Sequence, residues 1–374
     1  MRILHTVEFY HPHVGGAERV VQRISEGLVR RGHEVAVATS WHPERGCTAV
    51  NGVQIVPFRV SGNLARGMTG EVARYQDWLR RERFDIVMNY AAQSWPTDAA
   101  LSVLPDLQAG RVLATCGFSG LHGVRRLVYL RYFRQLRRFI RDYDALVYHA
   151  EAGADVAFGG RYGRGEQVVI PNGADGAEFV GPSDFRVRYG IGARHLLLHV
   201  GNHYRVKGHG DLARVLRTLR GRDVAMVIIG DDPGGTGSCW KACLAAARRD
   251  PRLVLLQHVP RSDVVAAFCA ADLVLLPSRF EAAPLVLVEA MAAGVPFVSY
   301  DVGNAKALEG GQVVAGPEAM AAAVADLLGD DARRRALGGA GRAHQRRALE
   351  WETIVGRYEA LYTSLVARRR ALGR

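Results

Sequence analysis

Residues 273–299 read LVLLPSRFEAAPLVLVEAMAAGVPFVS and predict a strand, a loop, a helix and a second strand. The apolar runs Leu273–Leu276 and Pro296–Ser299 have the length and composition of buried strands. A helix begins between them at Pro284, because proline suits the first turn of a helix. A strand, a helix and another strand in this order form the repeating unit of a parallel sheet covered by helices.

The same alternation extends over the rest of the chain. Helical segments such as Leu212–Leu219 and Val264–Ala270 separate further apolar strands. Residues 168–179 crowd proline, asparagine and glycine after a short strand, which indicates a hinge. The sequence therefore predicts an α/β fold with two doubly wound, Rossmann-like domains facing a cleft. The other predicted strands are Arg2–Val7, Val35–Thr39, Asp85–Asn89, Arg111–Thr115, Ala145–Tyr148, His195–Val200, Ala225–Ile229 and Leu253–Leu256.

Composition bounds the class of protein without choosing a partner. The 374 residues are 48% hydrophobic, which is enough for two or three domains with their own cores. The formal net charge is +12, and because only Lys207, Lys241 and Lys306 are lysines, arginine carries most of the positive charge. This excess suits nucleic acid, an anionic membrane surface or phosphorylated small molecules.

Several classes are disfavoured. The five cysteines form no CxxC motif, so a disulfide framework or a zinc ribbon is not expected and a reducing compartment fits best. The first residues lack the pattern of a signal peptide, and no uncharged apolar run reaches the roughly 18 residues of a membrane span. Signatures of the commonest hydrolases and NTPases, and of nucleic-acid-binding modules, are absent. We therefore expect a cytoplasmic protein without a nucleic-acid partner.

Two glutamates mark the helix that begins at Pro284. Glu281 precedes it in the loop, and Glu289 lies inside an otherwise apolar helix, where a carboxylate needs hydrogen-bond donors such as those of a polyhydroxyl ligand. The amides of Leu285 and Val286 at the helix N-terminus favour a phosphate. The alternative interpretation is two ordinary solvated glutamates.

Residues 200–210, VGNHYRVKGHG, form a second candidate element. They leave the first strand of the second half and place Arg205 and Lys207 among three glycines. Cations beside flexible backbone suit a diphosphate. The alternative is an exposed basic loop.

Glycines after other strands add weaker candidates. Gly15 and Gly16 open the first helix, so their amides could approach an anion or a sugar closely, although a Gly-Gly pair is more often only a turn. Gly230 follows another strand and is weaker still.

Histidines cluster without the carboxylates of a recognised metal motif, so no metal is expected. The clustered residues are His11 and His13 in one segment and His199, His203 and His209 in another. Cys239 and Cys243 have the spacing that shares one helix face.

Residues 123–143 combine seven arginines with apolar residues at helical spacing. Such a basic amphipathic helix could contact an anionic membrane or an anionic acceptor. The alternative is a helix that packs on the first domain with its arginines in water.

Taken together, these motifs resemble the family 4 retaining glycosyltransferases of the GT-B fold, over nearly the whole chain. The order of the motifs matches as well as their content. The matching pieces are FYHPHVGGAERVV (9–21), VIPNGAD (169–175), VGNHYRVKG (200–208), IIGDDP (228–233), PSRFEAAPLVLVEAMAAGVPFV (277–298) and WETIVGRYEALY (351–362).

The resemblance implies a domain organisation and an activity. It implies an acceptor-side domain over residues 1–180, a nucleotide-sugar-binding domain over 181–350 and a C-terminal helix over 351–374 that packs back on the first domain. The implied reaction moves a sugar from a nucleotide diphosphate sugar to a hydroxyl acceptor on a glycan, glycolipid or natural product. It retains the anomeric configuration and needs no metal or other cofactor.

The resemblance also implies residue roles. Glu281 would face the donor hexose near its anomeric carbon, Glu289 would contact the ribose, and Arg205 and Lys207 would neutralise the diphosphate. Gly16 would lie close to the donor sugar and phosphates.

Three departures from the family pattern stand out. Thr115-Cys116-Gly117 replaces the usual histidine and glycine after the fourth strand, so Cys116 occupies the histidine position and His122 is the candidate substitute catalytic residue. Asn202 stands where an arginine is usual, and Ala282-Ala283-Pro284 replaces Gly-Phe-Gly. The open alternatives are a sugar-nucleotide epimerase, a phosphorylase on the same frame, or an inactive sugar-nucleotide-binding protein.

Overall fold

The computed structural model describes residues 1–13, 15–118 and 129–373. It divides into two compact units, one of Met1–Asn172 with Trp351–Arg374 and one of Gly173–Glu350. The change of unit therefore precedes the boundary predicted at residue 180. The physical reason is Phe179, whose ring is buried in the core of the second unit.

In its described part, the first unit has ten strands. All neighbouring pairs of its main sheet are parallel except β3 with β4, and the order is β10-β9-β8-β7-β1-β2-β4-β3, whereas β5 and β6 form a separate hairpin. The strands are β1 (Arg2–Thr6), β2 (Glu34–Ser40), β3 (Ala49–Val50), β4 (Val53–Phe58), β5 (Val60–Asn63), β6 (Gly67–Gly70), β7 (Ile86–Tyr90), β8 (Gly110–Ala114), β9 (Ala145–Tyr148) and β10 (Glu166–Val169).

The helices of the first unit bury one apolar face each. The first of them buries Val20, Val21, Ile24 and Leu28, as its helical spacing predicts. These helices are α1 (Gly16–Arg30), α2 (Val72–Arg81), α3 (Trp95–Ala100), α4 (Leu130–Phe139) and α5 (Ala154–Tyr162).

The basic segment 123–143 is described only from residue 129 onward. Helix α4 buries Tyr132, Phe133 and Leu136 in the core of the first unit and leaves its arginines exposed. Residues 123–128 lie outside the described residues, as does His122. None of the described helices is both long and apolar enough to cross a membrane.

The second unit contains one parallel sheet of six strands, in the order β13-β12-β11-β14-β15-β16. Its strands are β11 (His195–Val200), β12 (Val224–Ile229), β13 (Leu253–Leu256), β14 (Leu273–Leu276), β15 (Phe297–Tyr300) and β16 (Gly311–Val314). This is the doubly wound Rossmann order, in which the direction of winding reverses between β11 and β14. The predicted α/β class with two doubly wound units is confirmed.

The remaining helices cover this second sheet, with one exception. They are α6 (Phe185–Arg188), α7 (His209–Thr218), α8 (Trp240–Arg249), α9 (Arg261–Ala270), α10 (Leu285–Ala293), α11 (Pro317–Gly329), α12 (Asp331–Ala348) and α13 (Trp351–Ala371). The exception is α13, which packs on α1 of the first unit. The two helices pack closely at Gly27, where a Cβ would lie only 2.5 Å from a methyl carbon of Val355.

Candidate functional site

The reversal of winding between β11 and β14 places two loops side by side at the carboxyl edge of the second sheet. Open α/β sheets bind ligands at this edge. The loop after β11 contacts the loop after β14 through a 2.8 Å hydrogen bond from the amide of Arg279 to the carbonyl of Val206. At Gly208, φ is +74° and a Cβ would lie 2.1 Å from the carbonyl oxygen of Pro277. Only glycine permits this approach, so the absence of a side chain at Gly208 allows the two loops to pack against each other.

Lys207 and Glu281 meet across these loops. The Lys207 Nζ atom lies 2.7 Å from Glu281 Oε1, and the two side chains are 27% and 14% exposed. Lys207 belongs to the 3-10 turn Arg205–Lys207 that follows β11, and Glu281 lies in the loop that follows β14. A cation and a carboxylate, both partly shielded from water, therefore stand at the edge of the sheet where a ligand is expected.

Helix α10 begins beside Glu281. It runs from Leu285, with Pro284 as its N-cap, so the helix starts one residue later than predicted. Leu285 and Val286 lie in its first turn, where amides have no acceptor within the helix and can bind an anion. The loop that leads to this helix is packed closely, because a Cβ at Gly303 would lie 2.4 Å from the carbonyl oxygen of Ala282.

Glu289 lies on α10 and is almost fully shielded from solvent. Its side chain is 9% exposed and its Oε1 atom lies 2.8 Å from Nη1 of Arg261, the first residue of α9. The same guanidinium pairs with Glu178 through Nη2 at 2.8 Å and lies over the ring of Phe179. Burial lowers the pKa of Arg261, and the charge of Glu289 opposes that effect. The alternative interpretation of Glu289 as a solvated side chain is therefore wrong, because its carboxylate is buried and is oriented by the Arg261 guanidinium.

We expect Arg261→Met to lower the free energy of unfolding by about 1–3 kcal/mol. The substitution would take a charged partner from the buried Glu289, which costs more than the loss of an exposed pair. Equilibrium denaturation measures the effect. Arg347→Met is the matched control, because Arg347 and its partner Glu309 are 61% and 52% exposed, and its effect should stay below about 1 kcal/mol. Equal losses in the two variants would contradict this interpretation.

Arg205 and Gly230 are also near this edge. The Arg205 side chain is exposed, forms no ion pair with any described residue, and lines a cavity of about 260 Å³. A Cβ at Gly230 would lie 2.1 Å from the carbonyl oxygen of Gly201. Close packing of the loops after β11 and β12 is therefore reason enough for a glycine at position 230.

In the first unit, Gly15 is the N-cap of α1 and Gly16 its first residue. A Cβ at Gly15 would lie 2.2 Å from Oε2 of Glu18, so the Glu18 carboxylate covers this helix N-terminus. Burial raises the pKa of Glu18. The predicted anion site at Gly15 and Gly16 already faces an acidic side chain of the same helix.

Cys116 lies at the carboxyl end of β8 in a left-handed conformation, with φ of +58°. Asp155 holds the neighbouring residues by accepting hydrogen bonds from the Thr115 hydroxyl and the Gly117 amide. Burial raises the pKa of the Cys116 thiol to about 11, so it stays protonated at neutral pH. Ala91 and Gln93 after β7 are left-handed as well, both with φ of +65°. Such conformations concentrate at functional sites.

Comparison with known proteins places these features in a family. Residues 14–178 match the model described as Glycosyltransferase Family 4, and residues 194–330 match that of Glycosyl transferases group 1. A D-inositol 3-phosphate glycosyltransferase of Corynebacterium urealyticum is 30% identical over 250 residues, which are 61% of this chain and 58% of that protein. This chain spans about half the length of several such curated relatives.

Two further proteins match at nearly full length. A phosphatidyl-myo-inositol mannosyltransferase of Mycobacterium tuberculosis is 27% identical over 369 residues, 94% of this chain and 93% of that protein. The structure of Anabaena HepE in complex with UDP-glucose has a TM-score of 0.80 and 19% identity, and the match covers 97% of this chain and 100% of HepE. With its two family matches, its two doubly wound sheets and the motifs at their edges, the chain belongs to the family 4, group 1 glycosyltransferases of the GT-B fold.

Proposed function

We propose that this protein transfers a sugar from a nucleotide diphosphate sugar to a hydroxyl acceptor, with retention of the anomeric configuration and without a metal ion. The observation that carries the proposal is the 2.7 Å pair of Lys207 and Glu281 at the carboxyl edge of the second sheet, beside the N-terminus of α10. Lys207, Glu281 and this N-terminus would be the donor site, and the first unit would hold the acceptor.

The charges of this site suit the charges of the reaction. Departure of a nucleoside diphosphate leaves negative charge on the phosphates and positive charge on the sugar ring. Lys207, Arg205 and the first-turn amides of α10 would stabilise the phosphates, and the Glu281 carboxylate would stabilise the sugar. The ammonium of Lys207 has three donors, so it can bind a phosphate oxygen while it still contacts Glu281.

The buried pair of Glu289 and Arg261 supports a role in binding the ribose. Its 2.8 Å contact orients a carboxylate that can accept hydrogen bonds from hydroxyl groups. We propose that Glu289 binds the ribose whatever the nucleotide base is, and that other residues of the loops select the base.

We propose that the acceptor hydroxyl attacks the donor sugar on the same face from which the diphosphate departs. In this mechanism, a donor phosphate oxygen takes the acceptor proton and no protein base is needed. The Cys116 thiol, whose pKa burial raises to about 11, is a poor base and fits this scheme. We propose that the left-handed residues Ala91, Gln93 and Cys116 shape the acceptor site. UDP-glucose in the HepE structure supports a nucleotide sugar as donor. A cytoplasmic location and a peripheral membrane contact through residues 123–143 remain predictions.

A thermal-shift panel of UDP-, GDP-, TDP- and ADP-sugars with EDTA present tests the donor site. One donor class is expected to raise Tm, because a ligand at about 100 times its Kd stabilises the native state by about 2.7 kcal/mol. The donor that binds is then incubated with candidate acceptors, and the anomeric configuration of the product is read by NMR.

The outcomes separate the alternatives. Acceptor-dependent transfer with retention in EDTA supports the proposal. Turnover without an acceptor would indicate an epimerase, turnover with phosphate would indicate a phosphorylase, and binding without turnover would indicate an inactive sugar-nucleotide-binding protein. A Tm that no donor raises, either with or without EDTA, would contradict the proposed donor site.

A further inference from the structure

Two imidazoles and two thiols meet beneath the loop that follows β11. Ligand atoms of His203, His209 and Cys239 lie within 4.8 Å of one another. The Sγ atom of Cys243 lies 3.9 Å from that of Cys239, as expected for residues one helical turn apart at the start of α8. The proposed transferase mechanism uses none of these four side chains.

The distances suit tetrahedral coordination. With Zn–S bonds of about 2.3 Å, two sulfur ligands lie about 3.8 Å apart, and a sulfur and a nitrogen ligand lie about 3.5 Å apart. The Sγ atoms of Cys239 and Cys243 are 3.9 Å apart, and Cys239 Sγ lies 3.3 Å from Nδ1 of His209. A single ion can therefore reach these three atoms with small shifts.

The hydrogen bonding of His209 leaves one ring nitrogen for a metal. Its Nε2 atom lies 3.2 Å from the carbonyl oxygen of Gly201 and donates to it. The lone pair of the neutral ring is then on Nδ1, which points at Cys239. A ligating histidine is commonly fixed in this way by a backbone carbonyl on its other nitrogen.

The ring nitrogens of His203, unpaired in the described part of the chain, are an independent indication that this cluster binds a ligand. The His203 ring is fully buried, and neither ring nitrogen has a hydrogen-bond partner among the described residues. The ring stacks on His209 at 4.6 Å between centroids and meets the edge of Trp240 at 4.7 Å. Buried polar atoms without partners are costly, and a bound ion would satisfy one of these nitrogens.

The backbone holds the four residues together. The Cys239 amide donates to the carbonyl of His203 at 2.8 Å, and the Arg205 amide donates to that of Gly237 at 3.0 Å. The loop after β11 is thus paired with the start of α8. His203 in this loop and His209 at the start of α7 supply the two imidazoles, and the start of α8 supplies the two thiols.

From this geometry we infer that His203, His209, Cys239 and Cys243 form a binding site for Zn²⁺. Two thiolates and two imidazoles are a donor set that zinc prefers. Binding ties the loop that carries Arg205 and Lys207 to α8, and it stabilises that loop. The ion takes no part in sugar transfer, so the site adds to the proposed function and does not depend on it.

A Co²⁺ titration of the reduced, metal-stripped protein without any sugar nucleotide tests the site. We expect one equivalent of Co²⁺ to give visible bands of tetrahedral cobalt and a near-ultraviolet thiolate charge-transfer band, which Zn²⁺ then removes. Zn²⁺ is also expected to raise Tm.

Two ligand variants and one control keep the test decisive. Cys239→Ser should abolish the charge-transfer band or shift it and weaken metal binding by at least about tenfold. His203→Gln should weaken metal binding to a similar extent, and it serves as the test if Cys239→Ser fails to fold. Cys269→Ser, at a half-buried thiol on α9 away from the cluster, should leave the spectrum unchanged. Absence of the bands in the folded wild-type protein, or an unchanged spectrum and an unchanged Co²⁺ affinity in both ligand variants, would overturn the inference.

Discussion

Replacing Lys207 with alanine is expected to reduce the rate of sugar transfer by at least about tenfold while the protein stays folded. The ammonium lies 2.7 Å from Glu281 at the proposed donor site and would stabilise charge on the departing diphosphate. Removal of one such preorganised group in other enzymes costs about 100- to 1,000-fold in kcat. Steady-state transfer assays with the donor selected by thermal shift measure the effect, and thermal unfolding confirms the fold.

Glu281→Gln is expected to have an effect of the same order for the opposite reason. The amide keeps the shape of the side chain but removes the negative charge that would face the sugar. Lys306→Ala is the matched control, because Lys306 forms a comparable 2.6 Å pair with Asp301 that is 69% and 57% exposed. Its transfer rate should stay close to that of the wild type. Near-normal transfer in both Lys207→Ala and Glu281→Gln would contradict the site assignment.

The sequence predicts that Lys207 and Glu281 lie in loops that follow two strands of the second half. Each follows a short apolar run, and its length separates such a buried strand from a longer buried helix. The strand β14 and the strand β11 have the bounds that the sequence predicts, Leu273–Leu276 and His195–Val200. That these strands are neighbours depends on the strand order, which the residue pattern does not give. The family resemblance implies only that Lys207 and Glu281 face the same donor.

Arg261 was missed for a physical reason. It is one of many arginines in a chain whose 49 cationic residues include only three lysines, so its type carries little information. Its position at the first residue of a helix was the one available signal, since that places it at the carboxyl edge of the sheet. What distinguishes it is the contact with Glu289, which forms only when α9 and α10 pack together.

The small strands of the first unit were missed because they lack an apolar run. β5 and β6 read VSGN and GMTG, and most of their residues are exposed. Their pairing comes from the hairpin itself, through bonds between backbone groups that any sequence can make. A pattern search for buried strands has no means of finding such a hairpin.

Gly208→Ala is expected to destabilise the protein by about 2–5 kcal/mol and to lower transfer as well. The left-handed backbone costs a non-glycine residue about 1–2 kcal/mol, and the added methyl would collide with the Pro277 carbonyl, which in a packed site costs about 1–3 kcal/mol more. The loops after β11 and β14 would separate, and with them Lys207 and Glu281. Equilibrium denaturation and transfer assays measure the two effects.

Gly221→Ala separates the two contributions, because Gly221 has φ of +81° but a Cβ there would meet nothing within 4 Å. It lies between α7 and β12, away from the donor site, and should lose only the backbone cost of about 1–2 kcal/mol while transfer is unchanged. The difference between the two variants then measures the contact of Gly208 with Pro277. If Gly208→Ala lost no more stability than Gly221→Ala and kept its transfer rate, the close approach of the two loops would not be what positions Lys207 against Glu281.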